Sequence, residues 1–361
     1  MAGIGDFDDI HDELRSVAED LLRKARLDGG VAAWSLLGQA GWTGLEVADD
    51  LGGAGATFRE TAIVCTALGR AAVGSDYLGS AVLGVASLNA VRPGAQRDGL
   101  LSGLAAAQHR VAVVLSDDHE SLSAATGFAI TGQPGSRHVN GRADFVVDAC
   151  GADRLLLVAR DADDALVMVA MTPESTGLTV VGRPVLDETR RFATVVACDA
   201  PVPEAAVWQF TGDAEAQLAA LQDRACVAVA CDSLGLSEAM LAATVDYVAV
   251  RHQFGRPIGS FQAVKHACAD MAVRIAVARR LVTAAVDAVS VAEPGARRAA
   301  SMAKAYTGDT AVEVVGKAMQ LHGGIGYTWE SGVHVYLKRA TLNRALFGSP
   351  AAHRRRLAGL F

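Results

Sequence analysis

In the run RHQFGRPIGSFQAVKHACADM, from Arg251 to Met271, a basic residue, a polar residue and an aromatic stand just before a Gly-x-Pro turn. Arg251 carries a guanidinium fork that matches a phosphate, and Phe254 offers a face for stacking, with Gln253 between them. Beyond the turn a helical pattern resumes, with Phe261, Val264, Cys268 and Met271 on one side and Gln262 and Lys265 off it. Two readings fit this spacing: a solvated helix–turn–helix corner, or a phosphate-bearing cofactor site built on a helical bundle. A second run, QLHGGIGYTWE from Gln320, closes a long helical pattern with Gly323 and Gly324 and a third glycine two residues on. A glycine C-cap accounts for one of these. Three of them, with Gln320 and His322 upstream and Tyr327 downstream, suit a backbone-lined pocket that a ligand approaches without Cβ obstruction.

Composition sets the frame that must hold these residues. The 361-residue chain is 51% hydrophobic and 20% charged, which supplies a sizeable core and argues against disorder. A net charge of −7, with basic residues in short clusters such as Arg354–Arg356, weighs against nucleic acid as a partner. Six scattered cysteines lack CxxC spacing and any histidine at zinc-site distance, so they read as buried free thiols with no metal site. The start, MAGIGDFDD, is acidic, unlike a targeting segment, and apolar runs such as Cys226–Cys231 stop short of the roughly 20 residues needed to cross a bilayer. The expectation is a cytoplasmic protein with no membrane partner.

Periodicity divides the chain into three blocks. Residues 1–109 read as successive helices, including one that Thr57 caps with Glu60 at capping-box spacing. The Gly52-Gly53-Ala54-Gly55 run in this block fails as a dinucleotide loop, because no strand precedes it and Phe58 stands where a third glycine is needed. Residues 110–204 carry short β-rich runs such as VAVVL, RLLLVA and LVMVAM, punctuated by Gly, Pro and Asp, which predict an antiparallel β domain. Residues 205–361 return to helical period, with long helices expected at about 214–251, 260–291, 294–321 and 332–346 forming a four-helix bundle. The fold class expected is therefore α+β multidomain.

In this α–β–α order, the two C-terminal runs together resemble the acyl-CoA dehydrogenase family. AGWTGLEVADDLGGAGAT is similar to its N-terminal glycine loop, NGRADFVVDACGADRLLLVAR to its middle-domain strand pair, and APVPEAAV to its exit from the β domain. The resemblance covers almost the whole chain. It implies FAD as cofactor, removal of a proton α to a thioester, hydride transfer from Cβ, and electron-transfer flavoprotein as acceptor. It also implies that Arg251, Gln253, Phe254, Gln262, Gln320, Gly323 and Gly324 hold the ADP half of an FAD whose flavin lies in a neighbouring subunit.

The departures from the family pattern are specific. Phe347, in Leu346-Phe347-Gly348-Ser349, stands where most members carry the glutamate base in a Tyr-Glu-Gly-Thr run, and phenylalanine cannot take a proton. The alternative glutamate position, on the first long bundle helix, falls at Ala225; Asp223 and Asp232 lie near it but off its helical turn. Asp223 reads otherwise as paired with Arg224 on an exposed face, and Asp232 as lying near an interface. The Thr-Glu-Pro flavin loop has no counterpart in LSDDHESLSAATG (115–127), and Val147 replaces the threonine whose hydroxyl reaches the flavin. Nucleotide-half motifs kept and base lost imply a degenerate subunit. It resembles those of heteromeric α2β2 steroid side-chain acyl-CoA dehydrogenases and donates its FAD half-site to a catalytic partner acting on an acyl-CoA. The rivals are a self-sufficient homotetramer with another base, a family-fold assembly partner without catalysis, and a relative doing oxygen or nitroalkane chemistry.

Overall fold

The computed structural model describes residues 4–115, 126–133 and 135–359. The first helices are α1 (Ile4–Leu27), α2 (Trp34–Gln39), α3 (Phe58–Ala71), α4 (Val85–Ala90) and α5 (Ala95–Ala105), with a π-helical stretch Leu78–Gly84 leading into α4. The α3 start is the capping box read from sequence: the Thr57 N–H and Oγ1 both donate to Glu60 Oε2, at 2.8 and 2.7 Å, and the Arg59 N–H donates to Thr57 Oγ1. Packing groups the described residues into two compact units. One comprises residues up to Val31, Ala62–Val73 and Cys226 onward; the other comprises Ala32–Thr61 and Gly74–Ala225.

The second unit is organised on a sheet of β1 (Val111–Val114), β2 (Phe128–Thr131), β3 (Arg137–Val147), β4 (Arg154–Arg160), β5 (Leu166–Met171), β6 (Leu178–Arg183), β7 (Phe192–Val202) and β8 (Val207–Gln209). Its order is β6-β7-β3-β2-β4-β5-β8, with β1 also pairing β4. The sheet is mixed, which corrects the antiparallel expectation: β1 and β2 run parallel to β4 along successive stretches of it. The reason lies in the RLLLVA run of β4. It has no alternation and is buried along its middle five residues, as strands with parallel neighbours are. Leu155, Leu157, Val167, Val169, Val195 and Ile130 pack in the sheet's core.

The first unit is helical from Cys226 on. It takes in most of α6 (Ala214–Val250), the two-strand hairpin β9 (His252–Gln253) and β10 (Arg256–Pro257), then α7 (Gln262–Ser290), α8 (Ala296–His322), α9 (Val333–Ala345) and α10 (Pro350–Ala358). The four long helices fall where their periodicity places them, and α10 is an addition that begins on a Ser349 cap with proline at its first position. By length and composition α6 could cross a membrane (mean hydropathy 1.5), but 78% of that window is buried inside the protein, as in the core helix of a bundle. At the centre of this unit, Arg339 of α9 lies 2% exposed. Its Nε and Nη2 donate to the two carboxylate oxygens of Asp232 (Nε–Oδ1 3.0 Å), and its Nη1 donates to the Val73 carbonyl at 2.6 Å.

Candidate functional site

Arg251 follows the last turn of α6, its N–H donating to the Tyr247 carbonyl at 2.9 Å while its own carbonyl accepts from Ile258 at 2.8 Å. The chain between these bonds is a hairpin whose two turn residues, Phe254 and Gly255, have φ of +53° and +79°. Two-residue hairpins need positive φ at the turn, and glycine meets this freely. Phenylalanine does not, at a cost of about 1–2 kcal/mol. Its ring gains little packing in return: Phe254 is 91% exposed and meets Phe261 edge-on at 6.0 Å between centroids. Arg251, Gln253 and Gln262 are exposed beside it, and Arg251 has no carboxylate partner among the described residues. A strained, solvent-facing aromatic with an unpaired guanidinium is a surface built for something other than this chain's own stability.

The glycine run sits at the end of α8. Gly323 has φ +63°, and a Cβ added to Gly323 or Gly324 would meet nothing within 4 Å, so bare backbone faces outward there. Gln320 is exposed one turn earlier, its Oε1 accepting from Lys317 Nζ at 2.9 Å. The two runs meet at one end of the bundle. Tyr247 of α6 stacks on His322 of α8 (centroids 4.5 Å, 18° between planes), and its hydroxyl donates to the His322 carbonyl at 3.2 Å. The structure therefore brings Arg251, Gln253, Phe254, Gln320, Gly323 and Gly324 to one surface of the first unit, with Gln262 at the start of α7. Their types fit a dinucleotide's ADP half: a cation for phosphate, donors for ribose and base, an aromatic face, and open backbone for close approach.

The α–β–α order has a match among known proteins. Residues 8–108 match the acyl-CoA dehydrogenase N-terminal domain and residues 216–359 the acyl-CoA dehydrogenase C-terminal domain. Acyl-CoA dehydrogenase IpdE2 of Mycobacterium tuberculosis is 33% identical over 331 residues, 90% of this chain and 85% of that protein. The chain belongs to the acyl-CoA dehydrogenase family. Its fold is that of solved members: a variant of the Tcur3481–Tcur3483 steroid ACAD (TM-score 0.84, 24% identity, 98% of each chain) and the ChsE4–ChsE5 complex from Mycobacterium tuberculosis (TM-score 0.85, 22% identity, 97% of this chain and 96% of that one). FAD is the cofactor of the family.

At Phe347, where the family resemblance of the sequence places the base, the side chain has no group that can take a proton. Phe347 is buried (7% exposed) and has φ +55°. Its carbonyl accepts from His353 Nε2 at 3.0 Å and from Cys226 Sγ at 3.4 Å, while Lys304 Nζ donates to the carbonyls of Gly348 and Arg344, at 2.8 and 3.2 Å. Burial pulls the Lys304 ammonium down to about 8. Ala225, the alternative base position, is fully buried. Asp223 is buried as well, which corrects the exposed pairing with Arg224; that arginine instead pairs with Glu46 and lies 4.2 Å over the Phe58 ring. Asp232 is a core group rather than an interface one, its carboxylate enclosed by Arg339 and by Asn343 Nδ2 at 2.6 Å. A carboxylate in three such bonds has its oxygens occupied by donors of its own core.

The strand expected to face a flavin differs too. A β-bulge between Ala143 and Val146 turns Phe145 outward at φ +53°, half-exposed and edge-on to Phe192. Val147 is buried and has no hydroxyl to offer. Asp148 turns inward to accept the Gly79 N–H at 2.8 Å; burial, then the neighbouring Asp76, push its carboxyl up to about 7. Residues 116–125 of the expected flavin-loop interval lie outside the described residues. The thiol expectation needs one correction: all six cysteines are free, but Cys150 and Cys198 are exposed and Cys268 is half-buried. Sequence reasoning missed Tyr247, Lys317 and Arg256, which lies 4.1 Å over the Phe261 ring. For the first two the signal was helical spacing: Tyr247 stands one turn before Arg251, and Lys317 three residues before Gln320.

Proposed function

We propose that this chain is the subunit without a base in a heteromeric FAD-dependent acyl-CoA dehydrogenase. The observation that carries the reading is the pairing of an outward-facing nucleotide end with a buried Phe347 at the base position. Arg251 binds the pyrophosphate, Phe254 packs on the adenine half, and Gln320 with the bare backbone at Gly323 and Gly324 closes over it. Bound FAD supplies the hydride acceptor for α,β-dehydrogenation of an acyl-CoA, and the proton acceptor comes from the partner chain. An α2β2 assembly follows from such a division of one site between two chains. The steroid ACAD and the ChsE4–ChsE5 complex support a steroid side-chain thioester as substrate and a second acyl-CoA dehydrogenase chain as partner. Electron-transfer flavoprotein is the acceptor this reading assigns.

The test is co-expression with an acyl-CoA dehydrogenase chain from the same source that carries the glutamate and the Thr-Glu-Pro loop. The expected result is a stable complex with about one FAD per heterodimer and dehydrogenation of a steroid side-chain thioester, and no flavin on this chain alone. Full FAD loading and dehydrogenation by the lone chain would sink the divided-site reading in favour of a homotetramer.

A further inference from the structure

The two motifs that make up the nucleotide end are remote in sequence and belong to different helices. Arg251 hangs from the end of α6 and Gly323–Gly324 from the end of α8, and both are exposed. Exposed ends of long helices fray and shift readily unless something ties them. Here Tyr247 is tied to His322 by a ring stack at 4.5 Å and by a hydroxyl-to-carbonyl bond at 3.2 Å. The bond accepts on the last carbonyl of α8, the one immediately before Gly323. His322 is itself fixed, because its Nδ1 donates back to the Ala318 carbonyl at 2.8 Å. Gly326 then folds the chain back against this turn, where any Cβ would press on the Met319 carbonyl and on His322. On the other side Tyr247 accepts the Arg251 N–H on its own carbonyl. One side chain is thus bonded or stacked to the turn that carries the glycines, while its backbone holds the residue that carries the guanidinium.

We infer that Tyr247 and His322 form a clasp that sets the distance between the two motifs, making them positioning residues for the nucleotide half of FAD. This rests on the divided-site reading above. Neither residue needs to touch the cofactor; each acts by holding Arg251 and the Gly323 backbone in one register, so that phosphate and ribose are met together.

The experiment uses the co-purified complex and measures FAD retention on dilution, by recovered flavin fluorescence, for Tyr247→Phe, Tyr247→Ala, Arg251→Ala and the Tyr247→Ala/Arg251→Ala pair. Tyr247→Phe keeps the stack and loses only the hydroxyl bond, so FAD binding should weaken about fivefold. Tyr247→Ala should weaken it tenfold or more, since the stack goes too. In the Arg251→Ala background Tyr247→Ala should add little, because a residue that works by placing Arg251 has nothing left to place. Additive losses in that cycle would overturn the clasp, as they would mark a general structural role. Retention by both Tyr247 variants within about twofold, alongside loss by Arg251→Ala, would overturn the clasp while leaving the shared site intact. Retention by Arg251→Ala would overturn the divided-site reading itself. If Tyr247→Ala fails to fold, the Tyr247→Phe arm, with its own cycle against Arg251→Ala, decides the question.

Discussion

Phe254 and Phe145 share an unusual backbone: both have φ of +53°, and both interrupt a strand pairing, one at a hairpin turn and one at a β-bulge. Their surroundings differ. Phe254 is handed to solvent at 91% exposure beside bare glycine backbone and an unpaired arginine. Phe145 is half-exposed and leans on Phe192 of its own sheet, and soon after it Asp148 turns inward to the Gly79 N–H, near the buried Asp76 that pairs with the exposed Arg191. The same strain serves opposite ends. One unit keeps an outward-reaching surface that its own stability does not need. The other turns the end of its strand into contacts within its own sheet. That contrast is what a chain would retain if it contributed to a neighbour's cofactor more than to its own.

The largest test of the contrast concerns the base on which the outward end stands. Arg339→Met leaves Asp232 buried without its guanidinium, and should cost about 3–5 kcal/mol in urea unfolding, whereas adding Asp232→Leu should restore most of it. If Arg339→Met is nearly neutral, the bundle is not the rigid support claimed for the exposed motifs. The pH response comes next and separates the two units. Asp148 has a folded value raised to about 7 from an ordinary 3.8, so the folded state holds the extra proton. Its contribution to stability is full below about pH 4 and is lost as pH rises through 7, by on the order of 2–4 kcal/mol. His353 is the reverse. Burial and then Lys304 lower it to about 4 from 6.5, and its Nδ1 has no acceptor inside. Its contribution is present above pH 6.5 and is lost as pH falls toward 4. Asp148→Asn should therefore make stability rise more steeply between pH 4 and 7 than in the wild type, and His353→Gln should make it rise less steeply, in thermal unfolding followed by circular dichroism.

Smaller still is the effect of the exposed guanidinium. Arg251→Ala should weaken FAD retention in the complex about tenfold or more, through lost charge-assisted bonds, with thermal stability of the lone chain unchanged. The finest comparison pits the two phenylalanines against each other. Phe254→Gly should stabilise the lone chain by up to about 1 kcal/mol, because it relieves strain and gives up only a solvent-facing ring's edge contact with Phe261. Phe145→Gly should gain nothing, since it gives up the half-buried surface of its ring together with the edge contact to Phe192. Equal responses from the two would erase the distinction drawn here.

Much of this was legible in the residues. The capping box at Thr57, the four long helices and the strand runs follow from local spacing, which a helix or strand reads within a few residues of itself. The mixed sheet was less legible, because an unbroken apolar run such as RLLLVA marks burial on both faces without naming the direction of its neighbours. Asp223 went astray for a similar reason: adjacency to Arg224 suggests a pair, yet neighbouring helix residues point to different faces.

The sequence by itself determined which groups this end of the bundle presents, since Arg251, Phe254, Gln320 and the glycines are chemistry written directly in residue types. It also determined that no glutamate stands at position 347. Only the tertiary structure decided that these groups share one surface, because Tyr247 meets His322 across 75 residues of chain. It alone decided, too, that Asp232 is spent on Arg339, 107 residues away. Residue type fixes what a side chain can donate or accept. Which partner it finds depends on helix packing, and that is set by the whole core rather than by any stretch of it.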